Sequence, residues 1–258
     1  MIDLYNYSLL TIFLIGLVAI LGATEIGRRL GARAGDGESD TASMLASAAL
    51  GLLALMIGFT FAMGLSRFEA RRDAVLKEAN AIGTTALRAR LLPETQRREV
   101  LTLLQDYVKV RLDVTRRSAT GAELASAIDR SNALQEKLWQ QAMAAAATSD
   151  AMVPTGLFIQ TLNEMIDDQE TRLTVLRNRV PDIVMLALFG VAAAAGAFAG
   201  YASMLETHRT VVAVYIMGIL MTAVIMLIFD LDRPTVGFID VSQQPMVDVA
   251  NSIAAFSH

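Results

Sequence analysis

Residues 43–65 read SMLASAALGLLALMIGFTFAMGL, and residues 66–92 read SRFEARRDAVLKEANAIGTTALRARLL. The first stretch holds no charged residue. A helix rises 1.5 Å per residue, so about 20 apolar residues cross a hydrocarbon core of roughly 30 Å. The second stretch is densely charged, yet it contains no proline and no paired glycine. One helix is therefore expected to cross a bilayer and to continue into water as far as Pro93. That reading sets the class: a membrane protein whose second span feeds a hydrated helical region.

Three more charge-free runs follow from the same test. They are YSLLTIFLIGLVAILGA (7–23), IVMLALFGVAAAAGAFAGYASML (183–205) and VVAVYIMGILMTAVIMLIF (211–229). The expected spans lie at about 7–24, 43–64, 182–204 and 210–229. The fold class is then an all-α integral membrane protein with four transmembrane helices and a helical extramembrane domain between the second and third. Residues 1–64 form the first transmembrane pair, 65–180 the extramembrane domain, 181–230 the second pair and 231–258 a C-terminal tail. Buried helices of a soluble protein are the competing reading. Four such runs among 258 residues, with mean hydropathy of +0.45, argue against it. The first run has no Lys or Arg before it, so it is not read as a signal peptide.

The segment 65–180 carries most of the charge and is patterned for helices. Val100, Leu103, Leu104, Tyr107 and Val110 recur at helical spacing, as do Leu124, Ile128, Leu134 and Leu138. Pro93 suits an early helix position, Gly121 breaks the pattern, and Pro154 with Gly156 is expected to mark another turn. No alternating run suggests a strand.

Four crossings put 65–180 and both termini on one side. That side offers Arg67, Arg71, Arg72, Lys77, Arg172, Arg177, Arg179 and Arg233 near span ends, against Arg28, Arg29, Arg33 and Arg209 on the other. The positive-inside rule favours a cytoplasmic domain in the cell (inner) membrane, although GRRLGAR after the first span pulls the other way.

The last span ends in Asp230 and Asp232, followed by Arg233. A helix C-terminus carries partial negative charge, so an acid there needs compensation. Parity brings both acids to the end where Arg67, Arg71 and Arg72 emerge, with Arg177 and Arg179 as further candidate partners. Carboxylate–arginine pairing at the membrane boundary is one expectation. Simple termination of the span in the headgroup zone is the other.

Ser47, Gly51, Ala54, Gly58 and Ala62 place small residues on one face of the second span. Gly190, Ala193, Gly196 and Gly200 do so on the third. In lipid such faces let helices pack closely, within one subunit or between subunits. Neighbouring faces of the second span hold Leu52, Met56, Phe59, Thr60 and Met63. Lipid, other helices or a hydrophobic constriction that gates a pore by dewetting would each suit them. No ionisable residue lies deep in a span, which weakens a proton-coupled pump.

The chain has no cysteine and two histidines, so it has no disulfide, thiol nucleophile or His-based metal cluster. GxSxG, P-loop, GxGxxG and HExxH patterns are absent. The acids Glu164, Asp167, Asp168 and Glu170 read as a solvated face rather than a cation site. No cofactor, metal or nucleic acid is implied, and no enzyme is read.

Residues 58–93, GFTFAMGLSRFEARRDAVLKEANAIGTTALRARLLP, resemble the signature of the bestrophin-like domain family. LNEMID (162–167) and DLDRPTVGFIDVSQQPM (230–246) resemble its later blocks, in the same order. The resemblance implies similarity to bestrophins, pentameric anion channels with four spans per subunit and a hydrophobic neck on the second. By that analogy Met56, Phe59 and Met63 are neck candidates, small inorganic ions are the cargo, and the partners are lipid and other copies of the chain. Glu78 and Asn80 in the juxtamembrane helix, and Ser242, Gln243 and Gln244 near the tail, are polar candidates. They are expected either to bond across helices and cap the domain or to face a permeation path. A membrane-anchored scaffold without transport is the alternative function.

Overall fold

The structure is a computed structural model that describes residues 4–33, 39–116, 121–148, 152–205, 211–234 and 237–256. Among them are a short 3-10 turn (Leu4–Asn6) and eight α-helices, with no strand. The helices are α1 (Leu9–Gly31), α2 (Ser39–Ala89), α3 (Glu94–Arg116), α4 (Gly121–Thr148), α5 (Met152–Arg177), α6 (Asp182–Leu205), α7 (Val211–Asp232) and α8 (Gln244–Phe256). Four helical stretches are long and apolar enough to cross a membrane, Leu9–Gly31, Asp40–Ala89, Val153–Leu205 and Val211–Asp232, and each covers most of one expected span. The chain is an all-α integral membrane protein.

The second helix continues past the apolar run as expected. It is one element of 51 residues. The chain divides into two compact units, and α2 belongs to the first through Phe68 and to the second from Glu69. Gly121 opens α4. Pro154 and Gly156 do not make a turn; both sit inside the first turns of α5. The first turn of a helix has no internal acceptor for its N–H groups, so proline costs nothing there.

The first unit packs α1, the leading part of α2, α6 and α7. Ile20, Leu53, Met185, Leu188, Ala192, Ala195, Ile225, Ile228 and Phe229 form its core. α1 starts on Ser8, whose Oγ accepts the Thr11 N–H at 3.1 Å. Its contact with α6 is the closest in the unit, because glycines meet backbone on both sides. A Cβ on Gly27 or Gly31 would strike the Ala197 or Tyr201 carbonyl, and one on Gly200 would strike the Thr24 carbonyl. Gly196 sits over the Thr24 side chain. Gly196 and Gly200 of the third span's small-residue face thus pack within the subunit, whereas Gly190 of the same face is exposed with no neighbour within 4 Å of a built Cβ. Gly51 and Gly58 of α2 have no neighbour within 4 Å of a built Cβ. A testable contrast follows. Gly200→Val is expected to cost at least the 1–3 kcal/mol typical of overpacking, read as lost folded yield in detergent. Gly58→Ala is expected to leave the fold of the subunit unchanged.

The second unit is built from the rest of α2 with α3, α4, α5 and α8. Ile82, Ala86, Val100, Leu104, Leu138, Phe158, Leu162, Met165, Met246 and Ile253 are among its buried core residues. Gly83 gives room to Val249 of α8 at 3.3 Å. Arg88 Nη1 donates to the Leu157 carbonyl at 2.7 Å, and Arg90 lies 4.8 Å over the Phe256 ring.

Candidate functional site

On α2 the apolar candidates divide by face. Phe59 is 67% exposed and Met63 41%. Met56 is half-buried against the first unit's core. Thr60 is buried, and its hydroxyl donates to the Met56 carbonyl at 2.7 Å. Phe59 and Met63, one turn apart, share the open face with Leu52 and Leu55. Thr60 turns inward, so the four do not form a single ring-lining stripe. Gly51 and Gly58 lie open on α2, whereas Gly196 and Gly200 are buried in the α1–α6 contact.

The acids at the end of α7 have local partners. Asp230 accepts the Phe238 N–H at 2.9 Å and the Ile239 N–H at 3.0 Å. Backbone donors thus stand where an arginine was expected for Asp230. Gly237 lies against the same carboxylate, where a Cβ has no room. Asp232 accepts the Val180 N–H at 2.8 Å and the Tyr5 hydroxyl. Tyr5 stacks on Phe229 with ring centres 4.8 Å apart, and the Arg179 guanidinium lies 4.9 Å over the Tyr5 ring. Arg233 donates to the Tyr7 carbonyl at 2.5 Å and covers Phe229. Arg67 is half-buried at the end of the first unit's portion of α2. Arg71 and Arg72 belong to the second unit, the former buried and the latter exposed.

The polar candidates also divide. Asn80, Ser242 and Gln244 are exposed. Ser242 Oγ accepts the Gln244 N–H at 3.3 Å, and the Gln243 carbonyl accepts Met246 N–H at 3.0 Å, so SQQP serves as the entry to α8. Glu78 and Gln243 join a network inside the second unit. Glu78 is fully buried. Its Oε1 lies 2.7 Å from Arg111 Nε, and its Oε2 lies 2.6 Å from Arg172 Nη1. Arg172 Nη2 donates to Gln243 Oε1 at 2.9 Å. The Tyr107 hydroxyl lies 2.7 Å from Gln169 Oε1 and 3.1 Å from Glu78 Oε1, with one proton to share between them. Gln135 donates to Gln169 at 3.1 Å, and Gln169 to Asn132 at 3.0 Å.

One carboxylate therefore holds two buried guanidiniums from α3 and α5. Burial, and then the neighbouring Glu78 charge, push the Tyr107 hydroxyl well above its ordinary range. Burial opposes the charge on Arg111, but the attraction of Glu78 wins and raises it. A hydroxyl raised in the folded state favours folding below its unfolded pKa of about 10 and loses that contribution as pH rises beyond it. Tyr107→Phe is expected to lessen the loss of stability above about pH 10, measured by melting temperature against pH.

Arg111, Tyr107, Gln135 and Gln169 were not singled out as site residues from the sequence. A signal was there: Glu78 sits between Val75 and Ile82 on an apolar face, and Arg111 follows Leu104 and Tyr107 on another. Among the described residues no cluster of three or more metal-ligating side chains exists.

Residues 12–246 match the model of the Bestrophin-like domain, so the chain belongs to the bestrophin-like family. Its fold is that of a bacterial bestrophin homologue from Klebsiella pneumoniae, at 16% identity and TM-score 0.65, over 96% of this chain and 97% of that one. A crystal structure of a membrane protein variant is similar at TM-score 0.69 and 13% identity, over 97% and 98% of the two chains. Among curated proteins none matches.

Proposed function

We propose that the protein is an oligomeric ion channel, anion-permeable, whose second span lines the pore. Family membership supports the channel reading. The observation that carries the role of α2 is its open face: Leu52, Leu55, Phe59 and Met63 are exposed, while Leu53, Thr60 and Gly64 are buried. A long apolar face left open by its own subunit meets lipid, another copy or a constricted pore. In this reading several copies, five by analogy with bestrophins, surround the pore. Residues 65–180 and both termini are cytoplasmic, in the cell (inner) membrane.

The absence of cysteine makes the test direct. Single substitutions Leu52→Cys, Leu55→Cys, Phe59→Cys and Met63→Cys are treated with a charged thiol reagent in liposomes. Block of flux at Phe59 and Met63, with none at the buried Leu53→Cys, supports the pore. Uniform insensitivity counts against it. The scaffold reading keeps one supporting observation, the exposed Leu87, Leu91 and Val153 of the second unit.

A further inference from the structure

Arg67 and Arg233 hold donors that the described chain does not use. Arg67 Nε and Nη1 are buried without an acceptor, and so is Arg233 Nε. Arg233 as a whole is only 8% exposed. The two belong to one end of the first unit. Gly64 of α2 lies 3.8 Å from the Ile228 carbonyl and from Leu231 of α7 when given a Cβ. Both helices run toward this end: α2 leaves the α6 C-terminal residues Ala202 and Leu205, and α7 ends beside Tyr5 and Val180. Arg67 is one helical turn past Gly64, and Arg233 is two residues past Leu231.

A guanidinium keeps its charge at every accessible pH. Leaving its N–H groups dry and unpaired is costly, so a native structure supplies an acceptor. The carboxylates at this end are partly committed. Asp230 holds two backbone amides, and Asp232 holds the Val180 amide and the Tyr5 hydroxyl. Asp182 Oδ1 also lacks a donor there. Asp182 and Asp232 both oppose an anion at this end, against the spare donors of two guanidiniums. Arginine presents its donors as a planar fork that fits oxyanions.

We infer that Arg67, assisted by Arg233, binds an anion from outside the chain at this end of the first unit: a free inorganic anion or the phosphate of a lipid. The inference stands apart from permeation, since a bound anion need not cross.

The test uses the full chain in detergent, with sodium bromide or inorganic phosphate replacing gluconate at constant ionic strength. The melting temperature is expected to rise with anion concentration in the native protein. Arg67→Gln is expected to abolish the rise, Arg67→Lys to move its midpoint at least tenfold higher, and Arg72→Gln, at an exposed position, to leave it intact. If the lipid phosphate is the source, the Arg67-dependent rise occurs in phosphatidylglycerol nanodiscs and not in phosphatidylcholine ones. Either pattern supports the site. Anion responses that are the same in the native protein and in Arg67→Gln and Arg67→Lys overturn it. So does a change of oligomer mass in Arg67→Gln with no anion dependence in either protein, because the acceptor then belongs to a second copy.

Discussion

Glu78→Leu is expected to destabilise the second unit by about 3–5 kcal/mol, because two buried guanidiniums lose the carboxylate they share. The mechanism is the uncompensated charge, not lost volume, since leucine keeps the apolar contacts on the Val75–Ile82 face. Two companions separate these causes. Glu164→Ala, on the exposed face of α5, is expected to stay within about 0.5 kcal/mol. Replacing Glu78, Arg111 and Arg172 together by leucine or methionine is expected to recover much of the loss, because no buried charge is left behind. Unfolding in detergent reads all three, and hydrogen exchange places the change on α2, α3 and α5. A Glu78→Leu protein as stable as the native one would contradict the role assigned to the network.

The second large effect concerns the end of α7. Asp232 is fully buried and holds the Val180 amide together with the Tyr5 hydroxyl. Asp232→Lys strips acceptors from both, at about 1–3 kcal/mol for each buried group left unpaired. It also forces an ammonium into a dry site, at a cost of several kcal/mol more. Asp240 is exposed. Asp240→Lys is therefore expected to leave folded yield and melting temperature close to native, while Asp232→Lys lowers both sharply. Equal tolerance of the two changes would remove Asp232 from the account.

The spans were legible because hydrocarbon imposes a length and excludes charge, and both are visible in a sequence. The long α2 was legible for a related reason: nothing between Gly64 and Leu92 interrupts a helix. Pro154 and Gly156 misled because their meaning depends on position. A proline in the first turn of a helix starts it; the same residue further on would end it. The glycines of α6 announced close packing, but their partner, the Gly27–Gly31 end of α1, shows only once the two backbones are side by side. The buried network was half visible. Glu78 and Gln243 are among the sequence candidates, yet Arg111 is not and Arg172 counts there only as a basic residue near a span end. Charge on a helix looks solvated until a second element arrives to cover it, and that element lies far away in sequence. The ends of Asp230 and Asp232 show the same limit, since backbone amides as acceptor-seeking donors carry no mark in the residue names.

The claim at the centre is conduction through a path lined by α2. The most direct measurement is chloride efflux against potassium efflux from liposomes holding the purified protein, native and Phe59→Ala. The account predicts chloride flux well above potassium flux in the native protein, and a changed rate with Phe59→Ala at equal incorporation. Native liposomes as tight as empty ones across pH, voltage and calcium, or a flux that ignores Phe59, would contradict it.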